Sequence, residues 1–187
     1  MDPAGFQQIL DQKICLGPIN AGDAEELFRL VELDRVYLRE WLPWLDGSRS
    51  IQDTLNFIEF SQKQFDSKVA LQVCIRYQNK AAGVIGFHHF DWVNRSATIG
   101  YWLARDFQGR GIMTRSCASL TNYAFAGLGL NRVEIRCAVK NQKSRAIPEK
   151  LGFKNEGTVR DGAWLYDKFV DLVTYGMLSR EWPEKII

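Results

Sequence analysis

The stretch Gln108-Gly109-Arg110-Gly111-Ile112-Met113-Thr114 has the residue types and spacing for chemistry on a phosphate. Its two glycines leave backbone N–H groups uncovered by side chains. Arg110 between them adds a cation, unless it turns to solvent. A helix starting just after Gly111 would aim its free N–H groups, and roughly half a positive charge, at the same spot. Two glycines also serve a tight turn that binds nothing. Rival phosphate motifs are absent: no Gly-Lys-Ser/Thr follows, and the third glycine of a dinucleotide fingerprint is replaced by Thr114. For proton transfer the candidates are His88, His89, Asp91 and Glu134. Histidine has the most suitable unperturbed pKa. Adjacent strand residues point to opposite faces, so at most one of the pair is expected at one site. Cys15, Cys74, Cys117 and Cys137 are far apart and form no Cys-x-x-Cys pair. With two histidines in the chain, no metal site is expected. The thiols read as reduced and buried, as in a cytoplasmic protein.

The elements around the glycine loop follow from periodicity. Ala97–Ala104 is an apolar β-rich run, and Met113, Cys117, Leu120, Ala124 and Leu128 mark one helical face. The reading is strand, loop, helix, with Gly127 and Gly129 as C-cap positions. Upstream, 13–19 is a strand and Ala24–Asp34 a helix capped by Asn20 or Asp23. Pro43 interrupts the aromatic segment Tyr37–Asp46. Its Trp41 and Trp44 form either a local apolar clamp or a wall of a substrate groove. Ser50–Ser67 is a helix opened by a Ser50/Asp53 capping box. Val69–Tyr77, Ala82–Asp91 and Ser96–Ala104 form an antiparallel meander, turning at Gln78-Asn79-Lys80 and at Trp92–Arg95. Arg132–Val139 alternates as a strand parallel to Ser96–Ala104 across a right-handed crossover. A short helix (142–151), a strand (153–160), a turn at Asp161–Trp164 and a last strand (169–179) complete a mixed α/β chain.

At 187 residues, 46% hydrophobic and 25% charged, the chain reads as one soluble domain spanning 1–187. A net charge of +2 gives no case for nucleic acid. No apolar run reaches membrane-span length, and Met1–Gly5 lacks the features of a secretory signal. Acidic residues outnumber basic ones ten to five between Ala21 and Asp66. Basic residues outnumber acidic ones nine to three between Arg105 and Lys150. These are either two solvated faces or a basic half for an anionic cofactor beside an acidic half for a cationic substrate.

The ordered set Ile99-Gly100-Tyr101-Trp102-Leu103, Gln108-x-x-Gly111-x-Met113, Leu130-Asn131-Arg132-Val133, Asn141-x-x-Ser144 and Gly152-Phe153-x-x-Glu156-Gly157 resembles the GNAT superfamily of N-acetyltransferases, in its RimL/RimJ-type ribosomal-protein branch. The resemblance implies the GNAT fold: a mixed central sheet, an antiparallel N-terminal meander, and two diverging parallel strands flanked by helices. It implies acetyl-CoA as acyl donor, with no metal. The pantetheine arm would pair with backbone at Tyr101, Trp102 and Leu103. The pyrophosphate would sit on Gln108, Gly109, Arg110, Gly111, Ile112, Met113 and Thr114. Asn141 would bond the arm, and Ser144, near the thioester sulfur, would protonate the departing thiolate. The alternative for both is an N-cap of the short helix. A homodimer and a cytoplasmic location are implied as well.

The implied reaction is direct attack of a neutral amine on the acetyl carbonyl, polarised by backbone N–H groups of the diverging strand. The branch commonly carries a Glu where this chain has Thr98, and some relatives carry one where this chain has Asp161-Gly162-Ala163. The base is therefore open among the four candidates. About a seventh of an α-amine of pKa near 7.8 is neutral at pH 7, against about four in ten thousand for a lysine amine, a gap of about 3.5 kcal/mol. A site without an obvious base thus suits a protein or peptide N-terminus. A small amine (polyamine, amino acid or antibiotic) is the alternative acceptor, and a non-catalytic acyl-CoA-binding domain the alternative to an enzyme.

Overall fold

The structure, a computed structural model, describes residues 6–183; Met1–Gly5, read above as carrying no signal, lies outside them. Within them, β1 (Gln8–Ile9), β2 (Ile14–Pro18), β3 (Leu71–Tyr77), β4 (Lys80–Asp91), β5 (Ser96–Leu103), β6 (Arg132–Ala138), β7 (Lys154–Leu165) and β8 (Lys168–Leu178) form one sheet in the order β1-β2-β3-β4-β5-β6-β8-β7. The helices are α1 (Ala24–Leu33), α2 (Arg35–Arg39), α3 (Ile51–Asp66), α4 (Ile112–Asn122) and α5 (Gln142–Lys150).

Each half of the sheet is built by local chemistry. Gln78 and Asn79 both have positive φ, +50° and +63°, and Tyr77 pairs with Lys80. That is the two-residue turn whose twist matches an antiparallel hairpin. Ser50 Oγ accepts the Asp53 N–H while Asp53 accepts the Ser50 N–H, so the expected capping box starts α3. Asn20 and Asp23 make a second such box around a single 3₁₀ turn before α1. Leu27 and Leu30 of α1 and Ile58 of α3 bury against Cys74 and Val84 on one sheet face. On the other face Ile112, Met113, Cys117 and Leu120 of α4 pack on Val73, Ile75, Ile85 and Ile99.

The feature that makes a site is where pairing stops. β5 and β6 run parallel only from Ser96–Arg132 to Ile99–Ile135. Beyond that β5 stays with β4 as far as Leu103, and β6 stays with β8 as far as Ala138. Each strand keeps its antiparallel neighbour, so a gap opens between them.

Several elements differ from expectation. The α4 rod continues through a π-helical turn, Tyr123–Gly127, before Gly129 takes a left-handed φ of +64°. Arg35–Arg39, short and flanked by charge, is helical, and Arg35 donates to the distant Leu45 carbonyl at 2.6 Å. The turn expected at Asp161–Trp164 is instead the interior of β7. Asp161 (φ +51°) sits in a bulge, its N–H bound to Asp171 at 2.9 Å, and the hairpin turns at Tyr166-Asp167. All four cysteines are free; Cys74, Cys117 and Cys137 are buried and Cys15 partly so.

Asp23 joins the two layers. Its carboxylate, 10% exposed, accepts Arg76 Nη2 from β3 at 2.6 and 2.8 Å and the Asn20 N–H at 3.0 Å. Asp23→Ala would strand the Arg76 charge and open the 3₁₀ cap. A loss of about 3 kcal/mol in urea unfolding is expected, with acetyl-CoA affinity unchanged.

Candidate active site

The glycine loop lies at the mouth of the gap. Gly109 and Gly111 have φ of +74° and +72°, which an L-residue adopts only with strain, and Gly111 is the residue from which α4 starts. Among the described residues the N–H groups of Gly109 through Thr114 meet no protein acceptor. They form a donor cradle suited to phosphate oxygens. Ile112 and Met113 contribute backbone alone, since their side chains are in the core. Arg110 lies over the Tyr77 ring, 5.5 Å from its centroid. Gln108 is a clamp. Its Nε2 donates to the Leu103 carbonyl and to Tyr37 Oη, both at 3.1 Å, and its Oε1 accepts Lys143 Nζ at 3.1 Å. The loop is thereby tied to β5, α2 and α5 at once.

The edge of β5 that faces the gap is set by alternation. Ala104 donates to Ala82 of the β4 side, and a Cβ at Gly83 would strike the Trp102 carbonyl. Even-numbered residues therefore turn their backbone to β4, and Tyr101 and Leu103 turn theirs to the gap. With the Leu103 carbonyl held by Gln108, the Tyr101 amide groups and the Leu103 N–H are available to an amide chain. Trp102 differs from expectation: its backbone belongs to the β4 ladder, and its side chain forms a wall.

Across the gap, Asn141 Oδ1 caps α5 by accepting the Ser144 N–H at 3.1 Å. Ser144 Oγ lies 3.3 Å from both Tyr101 Oη and Cys137 Sγ, and Tyr101 Oη donates to the Ser144 carbonyl at 2.9 Å. Burial pushes the Tyr101 phenol well above its ordinary range and raises the Cys137 thiol. Both stay protonated at neutral pH, so the Tyr101–Ser144 pair is a hydroxyl relay that can deliver a proton.

On the α1–α3 face a cavity of about 730 Å³ abuts the same strand. Trp44, Phe57, Leu42, Pro43 and Trp102 line it, and the Trp44 and Trp102 ring centroids are 6.3 Å apart. Trp41 is half-buried in the same loop but is not part of the cavity wall. The loop is fixed from outside: Arg39 grips Asp46 at 2.7 and 2.8 Å, and Tyr166 Oη donates to the Leu42 carbonyl at 2.5 Å. Among the described residues Asp53 is the one carboxylate of the wall. Hydrogen bonds from the Arg49 N–H, the Ser50 hydroxyl and the Ser50 N–H hold its pKa below the usual range.

The proton acceptors proposed from sequence separate here. Glu134 sits between Arg132 (2.8 Å) and Arg136 (2.5 Å). Asp91 is spent on the Asn94 N–H and side chain, which lower its pKa. The Asp161 stretch is exposed on β7. The two histidines do not obey strict alternation. β4 pairs Phe87 with Ile99 but His89 with Thr98, so His88 is an extra, bulged residue. Phe87 and Phe90, three apart, consequently share the core with rings 5.0 Å apart, and both imidazoles turn to the opposite face. Of the two, His88 lines the cavity.

Residues 13–154 match the acetyltransferase (GNAT) domain. The chain belongs to the GNAT acetyltransferase family. As a GNAT protein it is an acetyl-CoA-dependent N-acetyltransferase. It is 39% identical over 175 residues to the putative ribosomal N-acetyltransferase YdaF of Bacillus subtilis (strain 168), covering 92% of this chain and 95% of that one. The ribosomal L7/L12 α-N-protein acetyltransferase RimL in complex with coenzyme A superposes with a TM-score of 0.88 at 29% identity, over 92% and 98% of the two chains. The microcin C7 self-immunity acetyltransferase MccE, in complex with acetyl-CoA and AMP, gives 0.87 at 32% identity over 90% and 94%. Among the described residues of this GNAT chain, no group of three or more His, Cys, Asp or Glu side chains is placed for a metal. No described helix is long and apolar enough to cross a membrane.

Proposed function

We propose that this acetyltransferase modifies the N-terminal α-amine of a protein or peptide, with a ribosomal protein as the natural acceptor class in the cytoplasm. The observation that carries this is the charge-poor cavity. A polyamine would need free carboxylates, and among the described residues the only one in the wall, Asp53, is committed to its capping box. An amine that is already partly neutral at pH 7 needs no such counter-charge. About 730 Å³ is room for a drug-sized group or the first residues of a peptide.

In this assignment acetyl-CoA lies along Tyr101 and Leu103, with its pyrophosphate on the N–H groups of Gly109 to Thr114. Asn141, already a cap through Oδ1, has its amide NH₂ left for the pantetheine arm. The amine attacks the acetyl carbonyl, the C–S bond breaks, and Ser144, backed by Tyr101, returns a proton to the thiolate. Trp44 and Trp102 contact the acceptor. The long outer strand β7, exposed along most of its length, leaves a sheet edge for a second copy of the chain. A small amine carrying an apolar or aromatic group is the second candidate acceptor, favoured by the Trp44–Phe57–Trp102 wall.

Thiol release from acetyl-CoA separates these acceptors. Release is expected with a Ser-starting peptide that lacks lysine and not with spermidine; release with spermidine alone would overturn the assignment.

A further inference from the structure

We propose that the His88 imidazole is the base that takes the proton from the attacking amine, resting on the acetyl transfer assigned above. Thr98 cannot do so, and Glu134, Asp91 and Asp53 are already bonded. His88 differs from them in three respects. The bulge in β4 makes it an extra residue, lifted out of the ladder and turned to the acceptor side of the sheet. Its ring lies directly over Gly100, where any Cβ would collide with it, next to Tyr101, whose backbone faces the gap. Among the described residues it makes no hydrogen bond, so its basic nitrogen is open to the cavity it lines.

The electrostatics agree. His88 is exposed on its cavity side, and the partial desolvation of the ring face packed on Gly100 lowers its pKa from the ordinary value. Among the described residues the titratable side chain that shares the cavity wall with it is Asp53 from α3; the Tyr101 phenol is turned away to Ser144, and the β3 residue of the wall is the neutral Gln72. That direction favours the neutral ring. The amine that attacks is neutral, a form an α-amine near pKa 7.8 reaches readily at pH 7 and a lysine near 10.4 does not, and the base takes its proton as the C–N bond forms. The balance is complete. The nitrogen lone pair forms the C–N bond, the C–S pair leaves with sulfur, and the amine proton passes to His88 and then to solvent. The thiolate takes its proton from the Ser144 side.

Gly100 thereby acts as a positioning residue, because only a missing side chain leaves the ring its place.

The test is His88→Gln and His88→Asn, assayed from pH 5 to 9 with whichever acceptor the wild-type enzyme uses. With an α-amine, log kcat/KM should rise with slope two below the His88 pKa and slope one up to about pH 7.8. Both variants should lose on the order of a hundredfold, show slope one from pH 5 up to about pH 7.8, and bind acetyl-CoA within threefold of wild type. A readout independent of turnover is the imidazole ¹⁵N spectrum of the wild-type protein. Two histidines are present, so His89→Gln assigns it. The His88 signals should titrate below the ordinary histidine range and shift when the acceptor peptide is added to the coenzyme A complex. Rates within threefold of wild type with slope two retained, or signals that ignore the peptide, would overturn the role. If the enzyme uses spermidine and not the peptide, the acceptor assignment falls while the same comparison still decides His88.

Discussion

Gly111→Asp should raise the acetyl-CoA Kd about a hundredfold while leaving the protein folded. Gly111 starts α4 at φ +72°, with open space where a side chain would go. Asp is among the side chains that tolerate this conformation, so the helix should still form. Its carboxylate, however, would stand among the N–H groups of Gly109 to Thr114 and repel the pyrophosphate seated there. About 3 kcal/mol of lost donors and like-charge repulsion is two decades in Kd, while about 1 kcal/mol of backbone strain falls on folding stability instead. Isothermal titration with acetyl-CoA measures this directly, and Gly111→Ala separates the strain from the charge. An unchanged Kd for Gly111→Asp would remove the loop from the binding site.

Ser144→Ala should behave in the opposite way, with kcat down on the order of a hundredfold and acetyl-CoA affinity within a few fold. The side chain touches Tyr101 Oη and Cys137 Sγ, both at 3.3 Å, and the backbone of Ser144 keeps its bonds to Asn141 and Tyr101 in the variant. The site therefore keeps its shape and loses a proton donor. Tyr101→Phe should lower kcat as well. Because the two hydroxyls form one relay, the double variant should be little worse than the poorer single one. Equal losses of affinity and turnover in Ser144→Ala would reduce Ser144 to a packing residue.

What the sequence disclosed, and what it hid, follows from the range of the interactions. The Gln78-Asn79 turn, the Ser50 box, the Asn141 cap and the glycine loop are each decided within four residues, and each is where its residue types place it. The errors have distant causes. The Asp161 bulge is held by Asp171, and α2 is tied by Arg35 to the Leu45 carbonyl, ten residues on. His88 is the instructive case. Strict alternation allowed one histidine per face, yet the sequence held a sign of the bulge: Phe87 and Phe90 are both core-forming, three residues apart, where a regular strand would need two or four. The cavity itself has no local signature, because α1, α3, β4, β5 and the 42–48 loop each supply part of its wall.

The buried cysteines have a practical consequence for every assay named above. Desolvation pushes the Cys74 thiol up to about 12, raises Cys137, and lifts Cys117 well above its ordinary value. None of the three presents a thiolate to a colorimetric disulfide reagent while the chain is folded. Coenzyme A released by turnover is then read against a background of at most one protein thiol, the half-covered Cys15. The same three thiols become chromogenic once the core opens, so the reagent that counts product also serves as a clock for unfolding.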